Sequence, residues 1–285
     1  MPASLPADTK LGPMSLTISD LDRSLAFYQD HIGLRLHRRD GDTAHLGVGG
    51  PDLLRLTQVP GARRVRGTTG LYHFAILLSS RAALAATLQH LAETRTPLQG
   101  LSDHLVSEAI YLADPDGNGI EIYSDRPRGT WRYDGGMLRM TTEPLDVDNL
   151  MLELGERAVP WTGLPAGTTI GHIHLQVADI TAAEHYYHDV LGFEIVTRYG
   201  HSASFLSAGG YHHHIGVNTW AGVGAPPPPA GSVGLRYATV LLPSAEALDQ
   251  AVERVQRAGG PVEERDAGVL VRDPSANALL LTPAE

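Results

Sequence analysis

Residues 11–34, LGPMSLTISDLDRSLAFYQDHIGL, and residues 170–193, IGHIHLQVADITAAEHYYHDVLGF, are one element written twice. Each reads as a strand, an aspartate-bearing turn and an amphipathic helix that stops before a glycine. Asp20 and Asp179, Phe27 and Tyr186, Tyr28 and Tyr187, Asp30 and Asp189, and Gly33 and Gly192 all stand 159 positions apart. So do Asp114-Pro115 and Asp273-Pro274, and Asn118 and Asn277, near the far end of each half. One spacing held from start to finish marks a duplication, and it requires a fold made of two equivalent halves.

Each half divides again. FAILLSSRAALAATLQHLAETRTPL (74–98) and ATVLLPSAEALDQAVERVQRAGG (238–260) repeat the strand–turn–helix pattern. Short β-like runs broken by glycine follow the helices, as in HLGVGGPDLLRLTQV (45–59) and SASFLSAGGYHHHIGVNTW (202–220). The expectation is an α+β fold of four tandem βαβββ modules, at 10–60, 70–126, 168–221 and 233–283. They group into an N-terminal domain at 1–126, a connector at 127–167 and a C-terminal domain at 168–285, with a proline-rich loop at 222–231.

Composition narrows the chemistry. The absence of cysteine excludes disulfides, thiolate metal sites and thiol nucleophiles. A formal net charge of −10 argues against a nucleic-acid partner. No apolar run approaches the ~18 residues of a membrane span, and no secretory pattern opens the chain, so a cytoplasmic protein is expected. Fourteen histidines direct attention to metal or acid–base chemistry.

Strand alternation shows where the polar groups point. In GHIHLQVAD, His172, His174 and Gln176 share one face, and Ile173, Leu175 and Val177 the other. In NGIEIYSD, Glu121 and Tyr123 lie opposite Ile120 and Ile122; around His73, Phe74, Ile76 and Leu78 form the helix-covered face. One face of each sheet packs under helices, and the other lines a cup able to hold a ligand.

SDLDRSLAFYQDHIGL, YHFAIL and DPDGNGIEIYSDRP resemble the vicinal oxygen chelate superfamily, which includes glyoxalases, fosfomycin-resistance proteins and extradiol dioxygenases. The tandem arrangement, SDHLVSEAIYLADPDGNGIEIYSDRP and GGYHHHIGVNTW are most similar to its catechol 2,3-dioxygenase-like members. The resemblance implies cupped mixed sheets, two glyoxalase-like domains, and a metal held by a histidine of one module and a histidine and a glutamate of its partner. The first half then offers Pro13, His73 and Glu121, and the second His172, Tyr237 and Leu280. Neither half holds a complete set. Only modules two and three together supply His73, Glu121 and His172, so those modules should pair and leave one and four as a silent cup. Pairing within one chain and pairing between two chains of a dimer both remain open.

Other candidates fall on the same two modules. His104 and Tyr111 stand where the 159 offset gives Glu263 and Leu270; His212, His213 and His214 correspond to Leu53, Leu54 and Arg55. The resemblance favours His213 as acid–base group, with Tyr111 and His104 beside it. Alternation puts His212 and His214 on the face opposite His213, so the choice among the three stays open. His174, His212, His214 and Tyr123 are candidate substrate contacts. His31, His37, His90, His185, His188 and His201 are expected on helices or their flanks, solvated.

Two imidazoles and one carboxylate leave positions open for substrate and dioxygen, which suits non-haem Fe(II), with Mn(II) as the alternative. The implied activity is extradiol cleavage of a catechol-type aromatic diol with O2, a step of aromatic breakdown, by a homo-oligomer expected as a dimer. Rival readings are a glyoxalase-like lyase or isomerase, a hydroquinone-cleaving dioxygenase, and a non-catalytic drug-binding module.

Overall fold

The structure is a computed structural model that describes residues 4–155 and 161–284; part of the connector and both chain ends lie outside it. Module one comprises β1 (Lys10–Ile18), α1 (Leu21–Ala26), β2 (Arg35–Asp40), β3 (Thr43–Gly47) and β4 (Asp52–Gln58). Module two comprises β5 (Gly70–Leu78), α2 (Arg81–Glu93), β6 (Leu98–Asp103), β7 (Ser107–Ala113) and β8 (Gly119–Asp125). The connector carries β9 (Tyr133–Asp134), β10 (Met137–Leu138), β11 (Glu143–Pro144) and α3 (Val147–Met151). Module three comprises β12 (Thr169–Gln176), α4 (Ile180–Glu184), β13 (Glu194–Tyr199), β14 (Ala203–Ser207) and β15 (Ile215–Asn218). Module four comprises β16 (Gly234–Leu242), α5 (Ala245–Arg257), β17 (Val262–Arg265), β18 (Gly268–Arg272) and β19 (Ala278–Pro283).

Local chemistry repeats with the modules. Asp20, Ser80, Asp179 and Ser244 are helix N-caps, each accepting a backbone N–H three residues on. Such a cap stabilises its helix by about 1 kcal/mol. A π-helical turn extends α1 through His31 and α4 through Leu191. In each half the turn directs a buried tyrosine at the aspartate of the distant Asp-Pro turn. Tyr28 donates to Asp114 and Tyr187 to Asp273, both at 3.0 Å, and Asn118 and Asn277 close the turns on the same carboxylates. The residues that carry the repeat are therefore its fasteners. Between the caps Ser80 and Ser244 the offset widens to 164, because the proline-rich loop lengthens the second half before β16.

The sheets take their modules crosswise. One, in the order β11-β6-β7-β8-β5-β12-β15-β14-β13, joins modules two and three; the other, β17-β18-β19-β16-β1-β4-β3-β2, joins modules one and four. The joins are the antiparallel pairs β5–β12 and β1–β16. Modules two and three therefore share a sheet within a single chain. Phe74, Ile76, Ile120 and Ile173 of one sheet and Met14, Leu16, Leu54 and Val240 of the other join the helices in one continuous apolar core.

Two expectations fail. The run 212–214 precedes β15 and is irregular backbone, so strand alternation does not govern its side chains. His37 lies on β2 and is bound to Asp52, and His90 stacks on Trp161 with centroids 4.4 Å apart; neither is a freely solvated helix-flank group.

Candidate metal centre

The cup floor is a row of register partners. His172 pairs with Ala75 across β12–β5, Ala75 with Glu121 across β5–β8, and Glu121 with Tyr111 across β8–β7. Only a methyl group stands between His172 and Glu121, so their longer side chains meet above it. The adjacent row runs His174, His73, Gly119. Two bulges set these directions, since one extra residue turns the following side chains to the other face. The shift between Ile170 and His172 moves β12 from core-facing Ile170 to cup-facing His172, and the shift opposite His174 brings Tyr72 into the cup beside His73. Gly171 at the first bulge also admits Tyr123, whose hydroxyl would lie 1.7 Å from a Cβ there.

His73 Nε2 and His172 Nε2 lie 3.1 and 3.0 Å from the same Glu121 oxygen, and all three groups are buried. His73 Nε2 makes no hydrogen bond despite its burial. Ligand atoms ~2.1 Å from one ion at right angles are ~3.0 Å apart, so both N···O spacings suit neighbouring ligands of one ion. Burial pushes the Glu121 carboxyl up, but the charge and hydrogen bond of His172, and then the nearby His73 ring, outweigh it and hold it well below its ordinary value. Burial lowers His172 to about 4. A carboxylate and a neutral imidazole at neutral pH are the deprotonated forms that bind a metal. The residues fit the ion.

A second cluster, His172, His212 and His213, also gathers ligand-type nitrogens. There His212 has both nitrogens engaged, Nε2 with Asp125 at 3.0 Å and Nδ1 with His213 Nδ1 at 2.8 Å, and no carboxylate belongs to the cluster. The donor set with an anion and an unpartnered nitrogen is the first.

A cavity of about 560 Å³ opens over this floor, within the range of small-molecule sites. His73, Glu121, His104, Tyr111, His174 and His213 line it, and His172 lies directly behind; His212, His214 and Tyr123 do not line it. Tyr123 is fully buried, its hydroxyl 2.5 Å from that of Tyr211, which donates to Asp125. His214 Nδ1 accepts the Ala208 N–H, and burial lowers it to about 3. The His174 ring stands 5.1 Å from that of His73 and 5.3 Å from those of Tyr72 and Trp220. Its Nε2 has no partner, and burial, then His73 and His172, hold it well below its ordinary value.

Hydrogen bonds fix several protons. His104 Nδ1 lies 2.6 Å from the Thr141 carbonyl, to which it can only donate, so Nε2 accepts the Tyr111 O–H at 2.7 Å. Burial and the Glu121 charge raise Tyr111 well above its ordinary value, which keeps it a neutral phenol. Reading the sequence missed Asp125, Tyr72, Trp220, Phe205 and Arg64. Asp125 carried a signal, since the 159 offset gives Ala284 in the silent half. In that silent cup Tyr237 accepts from Arg55 at 2.8 Å and Leu280 packs with Leu270 and Ala278, so no carboxylate is present at the ligand position.

The model of the glyoxalase/bleomycin resistance protein/dioxygenase superfamily matches residues 10–122 and again 169–278. A catechol-2,3-dioxygenase of Bacillus subtilis (strain 168) is 48% identical over 282 residues, covering 97% of this chain and 98% of the relative. Among solved structures, one from Bacillus subtilis subsp. subtilis str. 168 aligns with a TM-score of 0.63 at 16% identity, over 99% of this chain and 86% of its own. Glyoxalase I from Zea mays aligns with a TM-score of 0.59 at 15% identity, over 97% and 92%. These two likenesses concern the fold alone. No helix among the described residues is long and apolar enough to cross a membrane.

Proposed function

The chain belongs to the glyoxalase/bleomycin resistance protein/dioxygenase superfamily, and from that premise we propose that it cleaves a catechol-type diol beside its hydroxyl pair, using O2 and Fe(II) held by His73, Glu121 and His172. It is an enzyme of the extradiol dioxygenase type, as its near full-length kinship to a catechol-2,3-dioxygenase supports. The observation that carries the metal assignment is the convergence of two imidazole nitrogens on one buried carboxylate oxygen beneath a cavity. The single carboxylate favours this chemistry over a glyoxalase-like lyase.

When bound, the ion supplies Lewis acidity toward the catechol hydroxyls and an electron path between ring and dioxygen. The chain supplies position and protons. Tyr72, Phe205 and Trp220 give the cavity an aromatic wall that orients the ring. His213 is the general base, and its neighbours set which nitrogen is free. The Asp125 carboxylate accepts from His212 Nε2–H, so neutral His212 offers a bare Nδ1; His213 must then donate from Nδ1, which leaves Nε2 unprotonated. Tyr111 and His104 form a fixed donor–acceptor pair on the cavity wall, which can hold a proton for the later rearrangement.

The test is anaerobic loading with Fe(II), then catechol and air. A yellow ring-opened semialdehyde is expected; unchanged catechol with a fully loaded protein would overturn the assignment.

A further inference from the structure

Arg64 lines the cavity but has no part in the chemistry above. The loop bearing it is tied down: Ala62 is buried and bonded to Val59, the Arg63 carbonyl accepts from Val233, and Thr69 donates to Ser275. The side chain lies across the Asp114–Asn118 turn that leads into β8. A Cβ on Gly117, where φ is +84°, would stand 2.6 Å from Arg64 Nη1 and 3.1 Å from its Cδ. A glycine there makes the slot in which the arginine rests. Arg23, Arg39, Arg81 and Arg126 are held by carboxylates, whereas Arg63, Arg64 and Arg66 on this loop are exposed, and of these three Arg64 alone lines the cavity. Arg64 enters no ion pair or side-chain hydrogen bond among the described residues.

Among the described residues, Glu121 and Arg64 are the only side chains of fixed formal charge on the cavity wall, and the ring-cleavage reading commits Glu121 to the metal. A protein of net charge −10 therefore places one solvent-exposed guanidinium, without a carboxylate partner among the described residues, on the wall of its substrate cavity. The remaining wall offers Gln99, Ser102, Thr142 and Gln176, polar groups with no use for a bare ring, and about 560 Å³ exceeds what such a ring fills. We propose that the substrate is a catechol bearing a side chain that ends in a carboxylate, and that Arg64 binds this carboxylate and determines specificity. A guanidinium matches a carboxylate with two parallel N–H···O bonds. This rests on the ring-cleavage reading given above.

The experiment is anaerobic calorimetry on the Fe(II)-loaded protein with 3-(3,4-dihydroxyphenyl)propionate, its methyl ester and unsubstituted catechol. The acid should bind about tenfold more tightly than the ester, as for a charge-assisted pair at a partly solvated site. Arg64→Leu should bring that ratio near unity, and Arg64→Lys should retain part of it. Equal affinities for acid and ester in the unmodified protein, or a preference that survives Arg64→Leu, would overturn the carboxylate subsite while leaving ring cleavage standing. Failure of all three catechols to bind would overturn both.

Discussion

His214 offers a quantitative test of how the histidine run divides its labour. Its Nδ1 accepts the Ala208 N–H at 3.2 Å, and burial holds it at about 3, whereas in the unfolded chain it titrates near 6.5. The folded pKa is depressed, so below 6.5 the unfolded chain binds the proton that the fold refuses. Stability contributed by the neutral ring is complete above pH ~7 and falls as the pH drops toward the folded value. With 6.5 unfolded and about 3 folded, the loss at pH 5 is about 2 kcal/mol. His214→Asn removes the titration while leaving a side-chain oxygen to accept from Ala208. Urea unfolding of metal-free protein at pH 7 and pH 5 should show the margin of wild type over His214→Asn shrinking by about that amount. A margin independent of pH would refute the assignment of His214 as a neutral structural acceptor.

Gly119→Ala should lower Fe(II) affinity at least tenfold without replacing a ligand, because its Cβ would lie 2.1 Å from the Tyr72 carbonyl oxygen and 3.0 Å from His73 Cβ and would displace that ligand; urea unfolding should show a loss of about 1–3 kcal/mol. His212→Phe should reduce turnover yet spare bound iron. In metal-free protein, imidazole 15N shifts should show His213 moving from a single Nδ1–H tautomer to a mixture; an unchanged tautomer would remove His212 from the relay. Tyr28→Phe and Tyr187→Phe should each destabilise the fold by about 1–3 kcal/mol through the matched buried aspartates, and by similar amounts.

The architecture was legible because duplication is arithmetic. The 159 spacing gave the modules, and the absence of matching ligands at Pro13, Tyr237 and Leu280 gave the crosswise pairing that the sheets display. Alternation placed His172, His174, Glu121 and His73 on the cup face because they lie on strands. It has no strand to act on at 212–214, where side-chain direction follows loop dihedrals that no period encodes, although His213 alone of the three lines the cavity, as the alternating split had it. Tyr123 is on the expected face, but bulging at Gly171 opens a place for its hydroxyl behind the ligands rather than over them. Arg64 and Trp220 reach the cavity from loops, and only tertiary packing brings those loops to it.

The central claim concerns which nitrogens and which oxygen hold the ion. Anomalous diffraction at the iron edge from crystals grown anaerobically with Fe(II) locates it directly. One peak per chain is expected among His73 Nε2, His172 Nε2 and Glu121 Oε2, all from the same chain. A peak among His172, His212 and His213, or one shared between chains, would contradict the assignment.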